Sequence, residues 1–169
     1  MKQFLFILAL LFLIACGGSV AYSAYSNETM GISFEYPESW ALDANALEVN
    51  VATDESLFAA DTANFNGGAV ANISTFPVEV IGADIVTALN QFAGFVAASE
   101  EAELGREVAT LTINGRDAAQ ATVNLAENTT MIVTMIRGDE QVVLIAAVYD
   151  EAQYAEMLTH VVESVTFAE

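Results

Sequence analysis

An Asn-Gly dipeptide between two stretches of alternating apolar and polar residues constrains the fold of this chain most strongly. The apolar positions before and after Asn114-Gly115 are Ala109, Leu111, Ile113, Ala119, Ala121, Val123 and Leu125. Asparagine and glycine tolerate the positive φ angles that a two-residue hairpin turn requires. The pattern therefore predicts an antiparallel hairpin with one polar face.

Other stretches of the chain have the composition of strands. Residues 32–36, 47–51 and 70–76 alternate in the manner of strands with one buried face. Residues 130–137 and 141–149 are apolar at consecutive positions, which is typical of central strands that are covered on both sides.

Two stretches have helical periodicity instead. Apolar residues recur every three or four positions from Ile81 to Val96, and Asp84 lies near the start of this stretch, where an anion is favoured. A second helix is expected over residues 151–163, followed by a short edge strand at residues 164–167. The order of elements predicts an α+β sandwich, in which two main helices cover a largely antiparallel sheet of about six to eight strands.

The chain begins with an apolar run that ends in a cysteine. The run spans residues 4–15, which is too short for a transmembrane helix of roughly 20 residues but suits a signal peptide. Leu13-Ile14-Ala15-Cys16 resembles the lipobox of a bacterial lipoprotein. We therefore predict a signal peptide at residues 1–15 and acylation of Cys16. The alternative is an ordinary secretory signal, or a short anchor, in which the cysteine occurs by chance.

The lipobox divides the chain into three parts. Residues 16–29, which follow the signal peptide, are small and polar and predict a flexible tether, and residues 30–169 are expected to form one domain. The mature protein is then extracytoplasmic and is held to a membrane of the bacterial cell envelope by lipid, such as palmitate, on Cys16. Because Cys16 is the only cysteine, no disulfide is expected in the domain.

The charge of the chain argues against one class of partner. There are 23 Asp and Glu against 4 Lys and Arg, which gives a formal net charge of −19, and the only lysine is Lys2 in the leader. Such a surface repels the phosphates of DNA and RNA, so nucleic-acid binding is not expected. Two interpretations stay open. The acidic surface either keeps the protein soluble or adapted to salty surroundings, or it attracts divalent cations or a basic partner.

No catalytic, metal-binding or cofactor-binding constellation stands out in the sequence. His160, the only histidine, is expected at an ordinary surface position of the second helix. Residues 43–48 offer several oxygens of a calcium loop but lack its glycine. Paired carboxylates could hydrolyse glycosides without histidine, and the candidate acids are Glu100, Glu101, Glu103, Asp139, Glu140, Asp150 and Glu151. Because nothing singles out two of them, we predict no catalytic residue and no cofactor.

The two ends of the domain resemble those of PsbP-like domains. Residues 31–40, GISFEYPESW, are similar to the opening motif of that family, and residues 157–167 are similar to its closing motif. The resemblance covers residues 29–167 and implies an antiparallel sheet between helices. It also implies a non-catalytic accessory or binding module, of the kind found among bacterial lipoprotein relatives of the photosystem II extrinsic protein. The histidine pattern of photosynthetic members is missing, so a photosystem role is not expected.

These observations predict a lipid-anchored, extracytoplasmic module that supports or binds another envelope protein without being an enzyme. The alternative is an envelope lipoprotein that binds a small ligand or a divalent cation such as calcium, through the acidic surface and the loops of residues 43–61. A carboxylate-dependent hydrolase is the third hypothesis.

Overall fold

The computed structural model describes residues 20–60, 65, 67–82, 84–99, 102–126 and 128–168. Residues 1–15, which the sequence predicts to be a signal peptide, lie outside these ranges, as do Cys16, Glu100 and Glu101. No helix within these ranges is long and apolar enough to cross a bilayer.

Ten strands and three helices follow one another along the described residues. The strands are β1 (Tyr22–Asn27), β2 (Ile32–Pro37), β3 (Ala41–Ala44), β4 (Glu48–Ala52), β5 (Ala69–Pro77), β6 (Glu103–Ile113), β7 (Arg116–Ala126), β8 (Thr129–Arg137), β9 (Gln141–Tyr149) and β10 (Thr166–Phe167). The helices are α1 (Val78–Ile81), α2 (Ile85–Ser99) and α3 (Ala152–Glu163), and a 3-10 turn lies at Glu55–Ala59.

The strands form two antiparallel sheets. The larger sheet has the order β3-β4-β5-β9-β8-β7-β6, and the smaller sheet has the order β1-β2-β10. Neighbouring strands run antiparallel in both sheets. The predicted α+β sandwich, with two main helices on a largely antiparallel sheet, is therefore confirmed.

The large sheet is covered on both faces. Helix α2 packs against β6, β7 and β8 on one face, where Leu89 and Ala93 are fully buried. Helix α3 and the small sheet cover the other face, where Phe34 and Val161 are buried. Burying a side chain such as that of Leu89 contributes roughly 1.5–3 kcal/mol. The four consecutive buried residues of β9 from Val142 to Ile145 confirm that this strand is central.

The predicted hairpin is formed by β6 and β7. The φ angles of its turn are 48° at Asn114 and 78° at Gly115, and Ile113 lies opposite Arg116 in the register. These are the positive angles that a two-residue turn needs. The local sequence therefore predicts this part of the fold correctly.

The folded domain begins earlier than the sequence predicts. Residues 22–27, which were expected to belong to a flexible tether, form β1 and pair with β2 from Tyr22 opposite Pro37 to Asn27 opposite Ile32. The segment is small and polar, but its backbone groups bond to those of a neighbouring strand, which no local pattern reveals. The tether prediction is wrong for these residues.

Two further differences have local causes. The four-residue β3 was not predicted, because half of it is exposed and it is too short for a clear alternation. The first long helix begins at Ile85 rather than near Ile81, because the chain turns at Gly82, where φ is 71°. Asp84 precedes the helix, and its Oδ1 accepts the Val86 N–H at 3.0 Å.

Candidate functional site

The one site residue that the sequence predicts, Cys16, lies outside the described residues, so its acylation stays a prediction. The structure instead brings together three polar side chains from β1, β2 and α3. We call Tyr22, Glu35 and His160 the His160 cluster.

The His160 cluster joins helix α3 to the small sheet. His160 Nε2 donates to Glu35 Oε2 at 2.8 Å, and the ring centroids of Tyr22 and His160 lie 3.8 Å apart at an interplanar angle of 34°. The side chains of His160 and Glu35 are 40% and 51% exposed. Because water screens a pair this exposed, its contribution to stability is at most about 1 kcal/mol.

The phenol of Tyr22 is held in its neutral form. Burial raises the pKa of Tyr22 above its ordinary value, and the negative charges of Glu156 and Glu35 raise this pKa further. A phenol in this setting cannot act as a base near neutral pH. Tyr22 therefore contributes a neutral ring, tilted against the imidazole, to the His160 cluster.

The hydroxyl groups beside the His160 cluster are engaged elsewhere. Ser164 Oγ accepts the Glu35 N–H at 2.9 Å and donates to a carbonyl in the last turn of α3. The hydroxyls of Ser33 and Thr166 bond to each other at 2.8 Å. A nucleophile activated by histidine needs a hydroxyl hydrogen-bonded to the imidazole. In the described part of the chain, His160 bonds to a carboxylate instead, so the cluster does not form a catalytic triad.

A shallow groove of about 500 Å³ runs between β2 and the end of α3. Glu35 and Glu163 lie on its walls, and Asn114 lies beside them. Asn114 Nδ2 donates to the carbonyls of Glu163 and Val165, both at 2.8 Å, which fixes the β6–β7 turn against the end of α3. Because Glu35 is paired with His160, the groove is a polar surface rather than a cleft with two free carboxylates.

A second shallow groove, of about 620 Å³, lies close to Val20, where the described chain begins. Trp40 and Tyr154 line it, and their rings meet edge-on with centroids 6.3 Å apart. Trp40 is 7% exposed, so most of its ring belongs to the core. Aromatic pairs of this geometry stabilise packing, which explains Trp40 and Tyr154 without a ligand.

Two of the candidate acids stabilise turns. Asp139 Oδ1 accepts from Arg116 at 2.7 Å, which lowers the pKa of Asp139 and raises that of Arg116. Asp150 Oδ1 accepts the Gly68 N–H at 3.0 Å. Three more candidate acids are exposed where an element begins or just before it: Glu103, Glu140 and Glu151.

The calcium-like segment of residues 43–48 uses its oxygens for folding. Asn45 Oδ1 accepts the backbone N–H groups of Leu47 and Glu48, which forms the turn between β3 and β4. Glu48 Oε1 accepts from the side chains of Asn50 and Asn72. Among the residues that the structure describes, no three His, Cys, Asp or Glu side chains are placed to hold a metal ion together.

Sequence reasoning did not find the His160 cluster. Glu35 and His160 are 125 positions apart, so only the tertiary fold brings them together. The single histidine was visible in the sequence, but nothing near it identified its partner.

No protein-family profile matches the chain, and no curated protein matches it in sequence. Solved structures do match its fold. The Ran-binding protein Mog1p of Saccharomyces cerevisiae has a TM-score of 0.59 at 10% identity, over 89% of this chain and 97% of Mog1p. The cyanobacterial PsbP, CyanoP, of Synechocystis has a TM-score of 0.58 at 15% identity, over 92% of this chain and 98% of CyanoP.

A third match comes from a mycobacterial protein. LpqN, described as involved in cell envelope biogenesis of Mycobacterium tuberculosis, has a TM-score of 0.50 at 13% identity, over 91% of this chain and 88% of LpqN. Identities of this size establish a shared fold and nothing about activity. The resemblance to PsbP-like domains therefore holds for the fold, which this chain shares with CyanoP and Mog1p across nearly its whole described length.

Proposed function

We propose that this protein is a lipid-anchored, extracytoplasmic accessory module that binds or supports another protein of the cell envelope, without catalysis. The observation that carries the proposal is the Leu13-Ile14-Ala15-Cys16 motif at the end of an apolar run, directly ahead of a folded domain. Tyr22 follows Cys16 by 6 positions, and β1 is paired with β2 from its first residue. An acylated Cys16 would therefore be coupled to a folded domain almost directly.

If Cys16 is acylated, the short interval would bring one end of the domain close to the membrane. Six peptide units span at most about 20 Å. The Tyr22 end of β1 lies beside Pro37, and the Trp40 N–H donates to the Pro37 carbonyl at 2.9 Å. This end, which we call the proximal end, would lie next to the lipid headgroups.

The opposite end of the small sheet would point away from the membrane. Phe167 lies opposite Ile32 there, and the Arg116 guanidinium lies 5.5 Å from the centroid of the Phe167 ring. The Arg116–Asp139 pair joins the β6–β7 turn to the β8–β9 turn at this end, which we call the distal end. A partner protein in the envelope could reach the distal end without touching the bilayer.

The charge of the chain agrees with binding to a protein partner. A net charge of −19 disfavours contact with anionic headgroups and increases the rate of encounter with a cationic protein. Two of the fold neighbours also have descriptions that agree with the proposal. LpqN is described as involved in cell envelope biogenesis, and Mog1p is a Ran-binding protein.

Labelling of cells with radioactive palmitate tests the anchor. We expect label in the wild-type protein and in the Ser19→Ala control, which leaves the lipobox intact, and no label in Cys16→Ser. Label that persists in Cys16→Ser, or that is missing from the wild-type protein, would contradict the anchor.

Photocrosslinking in intact cells tests the partner. A photoreactive amino acid is placed at Glu140, in the distal turn before β9, and as a control at Glu38 near the proximal end. We expect a discrete protein adduct from position 140 and much less from position 38. Repeated failure to form a protein adduct at position 140 would contradict a partner at the distal end.

A further inference from the structure

Strand β6 forms one edge of the large sheet. Among the described strands it pairs only with β7, so its other side has no strand beside it. It is 11 residues long, whereas β3, at the opposite edge of the sheet, has 4 residues. Long open edges are sites where another chain can add a strand, and proteins usually protect them with bulges and charges.

Only the first half of β6 is protected in this way. Its pairing with β7 is irregular between Leu104 and Arg106 and again between Arg106 and Ala109. The same half carries three exposed charged residues, Glu103, Arg106 and Glu107. Irregular pairing and charge both oppose the addition of a strand here.

The second half of β6 has neither form of protection. From Ala109 to Ile113 every residue is in regular register with β7, and the sequence Ala-Thr-Leu-Thr-Ile carries no charge. Thr110 and Thr112 are exposed, and Leu111 is half-buried. Threonine, leucine and isoleucine suit a strand, and the segment contains no proline. We call residues 109–113 the open edge.

The turn determines which backbone groups of the open edge face outward. In a two-residue hairpin, the residues that flank the turn exchange both hydrogen bonds, and the pattern alternates along the strand. Ile113 and Arg116 flank the turn, so Ile113, Leu111 and Ala109 direct their backbone groups toward β7. Thr110 and Thr112 therefore direct their N–H and C=O groups away from the sheet.

We infer that the open edge binds an extended, cationic segment of a partner protein, which adds to the large sheet as an eighth strand. Only an extended chain presents N–H and C=O groups at the spacing that Thr110 and Thr112 require. The net charge of −19 on this chain favours lysine or arginine at the ends of that segment. A second copy of this chain could also pair there, but two bodies of the same high charge repel each other.

The open edge also has a suitable position. It ends at the Asn114-Gly115 turn, which lies at the distal end of the domain.

The inference deepens the proposed binding function and rests on it, but it does not depend on acylation of Cys16.

Hydrogen exchange of the full-length protein in detergent tests this inference. The probe is the peptide acetyl-Lys-Val-Thr-Ile-Thr-Val-Lys-amide, and the control peptide has proline in place of both threonines, which removes the backbone N–H at these two positions and disfavours strand pairing at the same charge. We expect the probe to slow exchange of the Thr110 and Thr112 amides by at least about tenfold, as a newly formed hydrogen bond would. The Leu111 amide, which already bonds to β7, should change little.

Variants of Thr110 separate a backbone interaction from simple charge attraction. Thr110→Pro removes the outward N–H, and Thr110→Val retains it. We expect the probe to bind Thr110→Val as it binds the wild-type protein, and to bind Thr110→Pro at least about tenfold more weakly. If Thr110→Pro does not fold, the proline peptide provides the same test from the side of the probe, because it keeps the charge and lacks the N–H groups at its two proline positions.

Several results would overturn the inference. One is a probe that leaves the Thr110 and Thr112 amides unchanged, and another is equal protection by the proline peptide. Protection that rises with protein concentration in the absence of peptide, together with dimers in sedimentation, would identify a second copy as the occupant instead. These measurements are independent of palmitate labelling. A negative result for acylation of Cys16 can therefore be distinguished from a negative result for peptide binding at the open edge.

Discussion

Glu35 and His160, which are 125 positions apart in the chain, meet with 2.8 Å between Oε2 and Nε2. The contact fastens helix α3 to strand β2, and the Tyr22 ring packed on the imidazole adds strand β1 to the same junction. β1 is the first strand of the described chain. The His160 cluster is therefore the place where the start of the folded domain is held to its last helix.

A double-mutant cycle measures the strength of this contact. We expect Glu35→Gln and His160→Gln to show a coupling free energy below about 1 kcal/mol in urea unfolding, because both side chains are roughly half exposed. The coupling should fall further in high salt, which screens exposed charges. A coupling well above this range would mean that the pair is shielded from water in solution.

The β6–β7 turn provides a second test. Asn114 combines a positive φ of 48° with two side-chain hydrogen bonds to the end of α3. We expect Asn114→Ala to lower the free energy of unfolding by about 2–4 kcal/mol, through backbone strain and the loss of both bonds.

Two matched variants separate these contributions. Asn114→Gly removes the bonds without the strain, so it should cost clearly less than Asn114→Ala. Gly115→Ala adds only backbone strain, because φ is 78° at this position and a Cβ there would meet no atom within 4 Å. It should lower the free energy of unfolding by about 1–2 kcal/mol. If Asn114→Ala were no worse than Asn114→Gly in urea unfolding, the turn would not have the positive φ angle described.

Helix α2 allows a comparison of two large side chains on one element. Leu89 is fully buried against the large sheet, whereas Phe95 is 72% exposed. We expect Leu89→Ala to cost about 2–5 kcal/mol, because it leaves a cavity in the core. Phe95→Ala should change stability by less than about 0.5 kcal/mol. Similar losses in the two variants, measured by urea unfolding, would show that α2 presents a different face to the sheet.

The cap of α2 predicts a dependence on pH. Hydrogen bonds from the Thr87 hydroxyl and then from the Val86 N–H hold the pKa of Asp84 below its ordinary value. A carboxyl whose pKa is lower in the folded state stabilises the protein above its unfolded pKa, and this stability is lost as the pH falls through the folded pKa. We expect the thermal midpoint of Asp84→Asn to lie below that of the wild-type protein at neutral pH.

The two midpoints should converge as the pH falls below about 4, where carboxyl groups become protonated. Asp43→Asn serves as the control, because it removes one exposed acid without altering a helix cap. A difference between wild type and Asp84→Asn that stays constant from neutral pH to the acid range would contradict the role of the ionised carboxylate.

Features with a local cause were predictable from the sequence. The Asn114-Gly115 turn follows from the φ angles that these two residue types tolerate, and β9 follows from its consecutive apolar residues. The apolar spacing of α2 also identified the face that packs on the sheet. The predicted start of α2 was wrong, because the chain turns at Gly82 while the apolar periodicity continues on both sides of this turn.

Features set by distant parts of the chain were not predictable. β1 is a strand because β2 lies beside it, and the composition of residues 22–27 alone favoured a tether. The pairing of Glu35 with His160 depends on the packing of α3 against β2, and neither residue has a local signature. The open edge was part of the predicted hairpin, but only the order of strands in the sheet shows which member of the hairpin is left without a neighbour.

Mass spectrometry of the intact protein and of its N-terminal fragments, purified from native membranes, tests the lipid anchor. We expect a polypeptide that begins at Cys16 and carries the added mass of acyl chains on that residue. A chain that retains Met1, or one with an unmodified Cys16 thiol, would contradict the lipid anchor and the orientation of the domain that follows from it.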